Sequence, residues 1–124
     1  MTFTPPPAPH RWLYPCRVLR VIDGDTVEVL LDRGFHDYAQ RSVRLLGVNC
    51  PEIHAPDPAP GEAARQFTDT WIATTGQPDG AYPFLLESNR YEKYGRTLGT
   101  LWRPDGACLN ADLLTSGHAA VLKD

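Results

Sequence analysis

The chain has 124 residues, of which 42% are hydrophobic and 22% charged, so it is long enough for one domain with a single core. Its formal net charge of −3 excludes the basic composition of a strong, nonspecific nucleic-acid binder, although a local cluster of arginines can still hold phosphates. The three cysteines are widely spaced and form no Cys-x-x-Cys pair. This pattern indicates neither a disulfide framework nor a zinc site and predicts three reduced thiols.

Residues 1–13 are predicted to form a flexible arm, because four closely spaced prolines favour an extended polyproline conformation. Residues 14–124 are predicted to form a single domain. The N-terminus has neither the basic start nor the apolar core of a signal peptide, and no apolar run is long enough to cross a bilayer. We therefore expect a cytoplasmic protein, or one exported by a route that this sequence does not show.

The first half of the domain predicts three β-strands. Residues 16–22 are rich in Val, Leu and Ile, and Asp23-Gly24-Asp25 is a tight turn that leads into a return strand at 26–32. After a looser polar segment at 33–41, a third strand is predicted at 42–48. Consecutive strands with short connections indicate an antiparallel meander.

The second half predicts two helices and two further strands. Ala64, Phe67 and Trp71 form one apolar stripe of a helix at 61–75, which ends at Gly76. Strands are expected at 82–87 and 96–102, followed by a short helix at 109–116. The order β-β-β-α-β-β-α predicts a five-stranded OB-fold, an α+β β-barrel with one longer and one short helix. An open α+β sandwich is the alternative.

Polar residues suited to phosphoryl chemistry fall at the ends of these strands, and they are Asp23, Asp25, Arg44, Asn49, Glu52 and Arg96. Carboxylate and amide oxygens are ligands for a hard cation such as Ca²⁺, and arginines donate paired hydrogen bonds to phosphate. A glutamate beside a metal can orient or deprotonate water. Each element alone also fits a structural turn, an edge strand or a solvated loop. Together they predict metal-assisted phosphodiester hydrolysis.

Three motifs carry a family resemblance. Asp23-Gly24-Asp25-Thr26, Val43-Arg44-Leu45-Leu46-Gly47-Val48-Asn49-Cys50-Pro51-Glu52 and Glu92-Lys93-Tyr94-Gly95-Arg96 closely resemble, in order and spacing, the signatures of the staphylococcal nuclease (thermonuclease-like) family. The resemblance extends from about residue 16 to residue 121. It implies an OB-fold endonuclease that uses Ca²⁺ to hydrolyse DNA or RNA, and we expect a monomeric, stand-alone domain of bacterial or bacteriophage type.

The resemblance also implies a role for each matching position. Asp25 is implied as a metal ligand, Asn49 aligns with a second metal-binding carboxylate, and Cys50 contributes its backbone carbonyl. Glu52 is implied as the general base, and Arg44 and Arg96 as contacts to the scissile phosphate. Lys93 and Tyr94 are candidates for substrate contacts, and His54 is the one histidine candidate for such a contact.

Two departures from the family pattern stand out. Asn49 brings no charge, so weaker metal affinity is expected than with a carboxylate. Leu122 and Lys123 stand where the family carries tyrosines that pack on the nucleotide base, which predicts weaker or less selective substrate binding unless Tyr91, Tyr94 or Trp12 compensates. The alternative function is therefore a catalytically weak or inactive OB-fold module that binds nucleic acid or phosphate.

Overall fold

The computed structural model describes residues 2–4, 11–91 and 97–122. Within these ranges the elements are, in chain order, β1 (Trp12–Asp23), β2 (Thr26–Asp32), β3 (Tyr38–Leu45), β4 (Val48–Asn49), α1 (Ala59–Thr75), β5 (Phe84–Tyr91), β6 (Thr97–Trp102), α2 (Leu109–Thr115) and β7 (Ala120–Val121). No helix in this part of the chain is long and apolar enough to span a membrane.

Five strands close into a barrel in the order β1-β2-β3-β6-β5. The pairs are antiparallel except β3 with β6, which run parallel. A parallel pair needs a long crossover connection, and the chain between β3 and β6, which includes α1 and β5, provides it. The short strands β4 and β7 pair separately. The prediction of a five-stranded OB-fold with one longer and one short helix is confirmed, and the open sandwich is not what the chain forms.

The bounds of β1 differ from the prediction. The strand begins at Trp12 rather than at residue 16, inside the segment expected to be a flexible arm. Its first half, up to Cys16, pairs with β5, whereas β2 pairs only from Cys16 onward. Pro15 is tolerated because a strand with one unpaired side accepts a residue that has no N–H.

The predicted third strand at 42–48 is split in two. β3 already starts at Tyr38, because Arg33 donates its N–H to the Asp37 carbonyl at 2.8 Å and shortens the preceding loop to a tight turn. The strand ends before Gly47, whose φ of +79° belongs to the left-handed region that glycine tolerates. Two residues of β4 follow this turn, and they lead the chain towards the barrel end.

Smaller differences occur at the ends of the other predicted elements. Strand β5 starts two residues later than expected and continues to Tyr91, β6 begins at Thr97, and α2 ends one residue earlier. Helix α1 starts at Ala59 instead of residue 61, because a proline is compatible with the first helical turn.

Helix α1 packs directly on the turn between β1 and β2. The hydroxyl of Thr68 donates to the Gly24 carbonyl at 2.7 Å. A Cβ added to Gly24 would lie 2.8 Å from the Cβ of Ala64, so the close approach of the helix requires glycine here. Apolar side chains of α1 and of the barrel share one core, which also holds Leu109 and Leu113 of α2. The helix thereby fixes the Asp-Gly-Asp turn against the barrel.

Candidate active site

A polar cleft of about 160 Å³ opens at the barrel end where the β1–β2 turn, the end of β3 and the segment after β4 meet. It is lined by Asp23, Asp25, Thr26, Arg44, Asn49, Cys50, Pro51 and Glu52. Every site residue predicted from the sequence for which the structure gives a position therefore lies in one cleft, although these residues are separated by up to 27 positions in the chain. Arg96, Lys93 and Tyr94 lie outside the described residues.

Asp25 is held on both oxygens of its carboxylate. Oδ2 accepts a hydrogen bond from the backbone N–H of Cys50 at 2.8 Å and lies 2.9 Å from Nη1 of Arg44. Oδ1 accepts one from the hydroxyl of Thr26 at 3.2 Å. The residue is only 6% exposed, so these donors offset the cost of burying a charge. They also fix its orientation in the cleft.

Arg44 connects Asp25 to the opposite wall. It lies opposite Thr26 in the β2–β3 register. Its Nη1 also donates to the Val48 carbonyl at 3.0 Å, and its Nη2 donates to Oδ1 of Asn49 at 3.1 Å. Among the described residues no hydrogen bond uses its Nε–H or the second Nη2 proton, and a guanidinium has five N–H donors. Arg44 thus keeps donors for an anionic ligand while it organises the cleft.

Glu52 is the exposed carboxylate of the cleft. Its backbone is pressed against the first turn of α1, because a Cβ added to Gly61 would lie 2.5 Å from its carbonyl carbon and oxygen. Its side chain accepts no hydrogen bond from the part of the chain that the structure describes. A fixed backbone with an unengaged carboxylate suits a group that must accept a proton from water.

Acidic side chains outnumber basic ones in the cleft, where Asp23, Asp25 and Glu52 accompany Arg44. Burial raises the pKa of Asp23 above its usual value, and the negative charge of Asp25 raises it further. The negative charge of Glu52 also raises the pKa of Asp23, whereas the positive charges of His54 and Arg44 lower it. Three carboxylates in one small cleft favour the binding of a cation.

The oxygen atoms that line the cleft indicate which kind of metal ion it suits. Carboxylate oxygens of Asp25, Asp23 and Glu52 and the amide oxygen of Asn49 are hard ligands, which fit Ca²⁺ or a similar ion. Cys50 offers no thiolate, because burial raises the pKa of its thiol to about 12. In residues 11–91 and 97–122, no three His, Cys, Asp or Glu side chains come close enough together to hold one ion. Any ion would therefore need amide or carbonyl oxygens as well.

Sequence reasoning left three features of the cleft unassigned. Asp23, which the sequence placed only in the general polar constellation, and Thr26, which received no role, both line it. The amide of Cys50, not only its carbonyl, takes part through its bond to Asp25. The motif signalled the first two, since both belong to the Asp-Gly-Asp-Thr turn. No sequence signal indicated the amide, because its partner lies 25 residues away.

Comparisons with known proteins agree with this geometry. Residues 42–124 match a family model described as staphylococcal nuclease homologue. The chain is 38% identical over 85 residues to Protein ParB of Escherichia coli (68% of this chain, 40% of that protein) and 36% identical over 91 residues to a thermonuclease of Staphylococcus hyicus (69% and 47%). It is 31% identical over 105 residues to an uncharacterized endonuclease of Escherichia coli (85% and 59%).

The chain spans between 40% and 59% of the length of these three relatives. The region that the family model matches begins within β3 and includes Arg44, Asn49 and Glu52. The alignments with the three relatives cover between 68% and 85% of this chain. Together with the closed barrel and the cleft, these matches show that the chain belongs to the staphylococcal nuclease family.

Proposed function

We propose that this protein is a Ca²⁺-dependent nuclease that hydrolyses phosphodiester bonds of DNA or RNA by in-line attack of water. The observation that carries the proposal is the placement of Glu52 beside the fixed Arg44–Asp25 pair in one polar cleft. Such a reaction needs a general base, an arginine that binds phosphate and a carboxylate that can hold a metal ion, and Glu52, Arg44 and Asp25 are suited to these roles. The nuclease names of the relatives support the same reaction class.

The proposed roles follow from how each side chain is engaged. Glu52 accepts the proton of the attacking water, since its carboxylate is exposed and unengaged among the described residues. Arg44 directs its remaining N–H donors at the phosphate oxygens. Arg96 is proposed as the second arginine on the phosphate, because the family resemblance assigns it there. A donor aimed at developing charge typically contributes about 10²-fold or more to the rate.

Asp25, Asn49 and the backbone carbonyl of Cys50 are the groups that would hold Ca²⁺. When bound, the cation offsets the negative charge that develops on the phosphoryl oxygens. The acidity of the cleft supports this proposal, because a phosphodiester would otherwise meet the carboxylates of Asp23, Asp25 and Glu52. Lys93 and Tyr94 are proposed as contacts to the flanking substrate.

A second candidate function is binding of nucleic acid without turnover. The observation that favours it is Asn49, which supplies a neutral amide where the family resemblance places a carboxylate. Its Oδ1 is also already bonded to Arg44 at 3.1 Å. A metal site with one negative charge fewer binds its ion more weakly.

The test is hydrolysis of single-stranded DNA and RNA with Ca²⁺, with and without a chelator. Glu52→Gln is expected to lower kcat by about 10²- to 10⁴-fold, the usual contribution of a general base. Asp69→Asn removes an exposed carboxylate from the outer face of α1 and is the matched control, expected to leave the rate unchanged.

Cleavage that survives the chelator, or that Glu52→Gln leaves intact, would overturn this mechanism. Binding of the oligonucleotides without product, under every divalent ion tried, would instead establish the second candidate function.

A further inference from the structure

We propose that a second groove, beside the cleft, binds a nucleobase of the substrate strand by stacking it on His118. This inference rests on the proposed function, because the base belongs to the nucleic acid that the cleft would hold. The groove has a volume of about 360 Å³ and is lined by Asn49, Pro51, Gly117, His118, Ala119 and Ala120. We call it the His118 groove.

The His118 groove is continuous with the cleft. Asn49 and Pro51 line both spaces. The pairing of β4 with β7 sets this geometry, because Asn49 lies opposite Ala120 in the register. A further hydrogen bond of 2.9 Å runs from the N–H of Leu122 to the Gly47 carbonyl. The two spaces are therefore neighbours, so one strand can place a phosphate in the cleft and a base in the groove.

The end of α2 holds His118 in place. Gly117 adopts a φ of +81°, and the N–H groups of His118 and Ala119 both donate to the Leu113 carbonyl at 3.1 Å. The imidazole packs on the ring of Phe67, with 4.9 Å between centroids and 39° between planes. The ring is half-buried and already packed on Phe67 before a ligand arrives, which lowers the entropic cost of stacking.

The chemistry of the lining favours a base over a phosphate or a cation. Among the residues that the structure describes, no carboxylate, lysine or arginine lines the groove, and apart from Asn49 and His118 its walls are proline, glycine and alanine. Every nucleobase has an apolar face that stacks on an aromatic ring, largely independent of sequence. The cleft, by contrast, is lined by charged groups and is less than half as large. The two spaces thus suit the two parts of a nucleotide.

The experiment measures binding of a fluorescent 12-nucleotide single-stranded DNA in the presence of a chelator and at low salt, so that no cleavage is required. His118→Ala is expected to weaken binding by about 5- to 100-fold, the range of one lost base stack. His118→Phe keeps a flat ring and is the matched control, expected to bind within about threefold of the wild type. Thermal unfolding shows whether each variant is folded.

A second measurement does not depend on any variant. In a set of oligonucleotides with a single abasic site at successive positions, one is expected to bind the wild-type protein more weakly by a similar factor. For that oligonucleotide, His118→Ala should not lower the affinity any further. Equal affinity at all positions, or unchanged binding by His118→Ala, would overturn the inference. Failure of the proposed function has a different signature, which is absence of hydrolysis in Ca²⁺ with the abasic position effect retained.

Discussion

The guanidinium of Arg44 lies 2.9 Å from the carboxylate of Asp25, and the two side chains are only 12% and 8% exposed. One residue comes from the turn after β1 and the other from the end of β3, so the pair joins two parts of the barrel. The N–H of Leu45 also donates to the Asp25 carbonyl at 2.8 Å. The pair at the centre of the proposed nuclease site thus also holds the β1–β2 turn against β3. Its structural role and its proposed catalytic role can be separated by experiment.

Arg44→Ala is expected to lower the free energy of unfolding by about 3–5 kcal/mol, because it leaves the buried carboxylate of Asp25 without its counter-charge. Urea denaturation followed by circular dichroism measures the change. The matched control is Arg20→Ala, since Arg20 is 66% exposed and lies 3.8 Å from Glu28. An exposed pair of this kind contributes less than about 1 kcal/mol. Equal losses in the two variants would contradict a stabilising role for the Arg44 pair.

Asn49→Asp is expected to strengthen Ca²⁺ binding about tenfold, because ligand charge is a main determinant of calcium affinity. The fold should not change, since Arg44 already donates to this side chain and would donate equally to a carboxylate. Calorimetric titration with Ca²⁺ gives the dissociation constant. A simultaneous gain in hydrolysis would identify the neutral amide as the limit on activity.

The control for that variant is Asn89→Asp, which adds the same charge on the exposed surface of β5, away from the cleft. Its effect on Ca²⁺ affinity is expected to be within about twofold, because exposed charges at a distance are screened. If both variants gain affinity alike, the ion is held by general charge rather than at the proposed site.

The cleft was predictable where a short motif carries its own geometry. The turn at Asp25 follows from Asp-Gly chemistry, and Glu52 follows from a strand that ends at a proline. The barrel order followed from the succession of strands and helices. For the turn at Asp25 and for Glu52, the information lies within a few consecutive residues.

The remaining features depend on partners distant in the chain. Nothing near Gly24 indicates that Thr68 will bond its carbonyl, 44 residues later. The break at Gly47 was missed because Leu46 and Val48 on either side are apolar and favour a continuous strand. The His118 groove exists only through the pairing of β4 with β7, two strands of two residues each. Elements this short carry no periodic signal.

Gly61→Ala is expected to destabilise the protein and to reduce hydrolysis. Replacing glycine by alanine within a helix normally stabilises it by up to about 1 kcal/mol. A loss of stability in this variant would therefore identify the steric contact as its cause. Here a Cβ would lie 2.5 Å from the backbone of Glu52, and overpacking of this kind costs about 1–3 kcal/mol. The displaced loop would also move the proposed base. Urea denaturation and steady-state kinetics on single-stranded DNA measure the two effects.

Ala63→Gly is the matched control, because this residue is exposed on the same helix and reports the helix propensity alone. It should lose about 1 kcal/mol of stability without a change in kcat. A Gly61→Ala variant that is more stable than the wild type would show that the contact between α1 and the loop relaxes freely.

Burial of the Cys16 thiol is expected to make the stability of the protein fall with pH in the alkaline range. Cys16 is fully buried, and burial raises its pKa from 9.0 to about 12. As the pH rises, the unfolded chain therefore loses this proton before the folded protein does. The buried thiol's contribution to the free energy of unfolding is complete below pH 9 and is lost as the pH rises towards 12. One such group changes the free energy of unfolding by about 1.4 kcal/mol per pH unit in that window. Urea denaturation of the wild type and of Cys16→Ala at pH 8, 9.5 and 10.5 should give slopes that differ by this amount, whereas parallel slopes would contradict the burial effect.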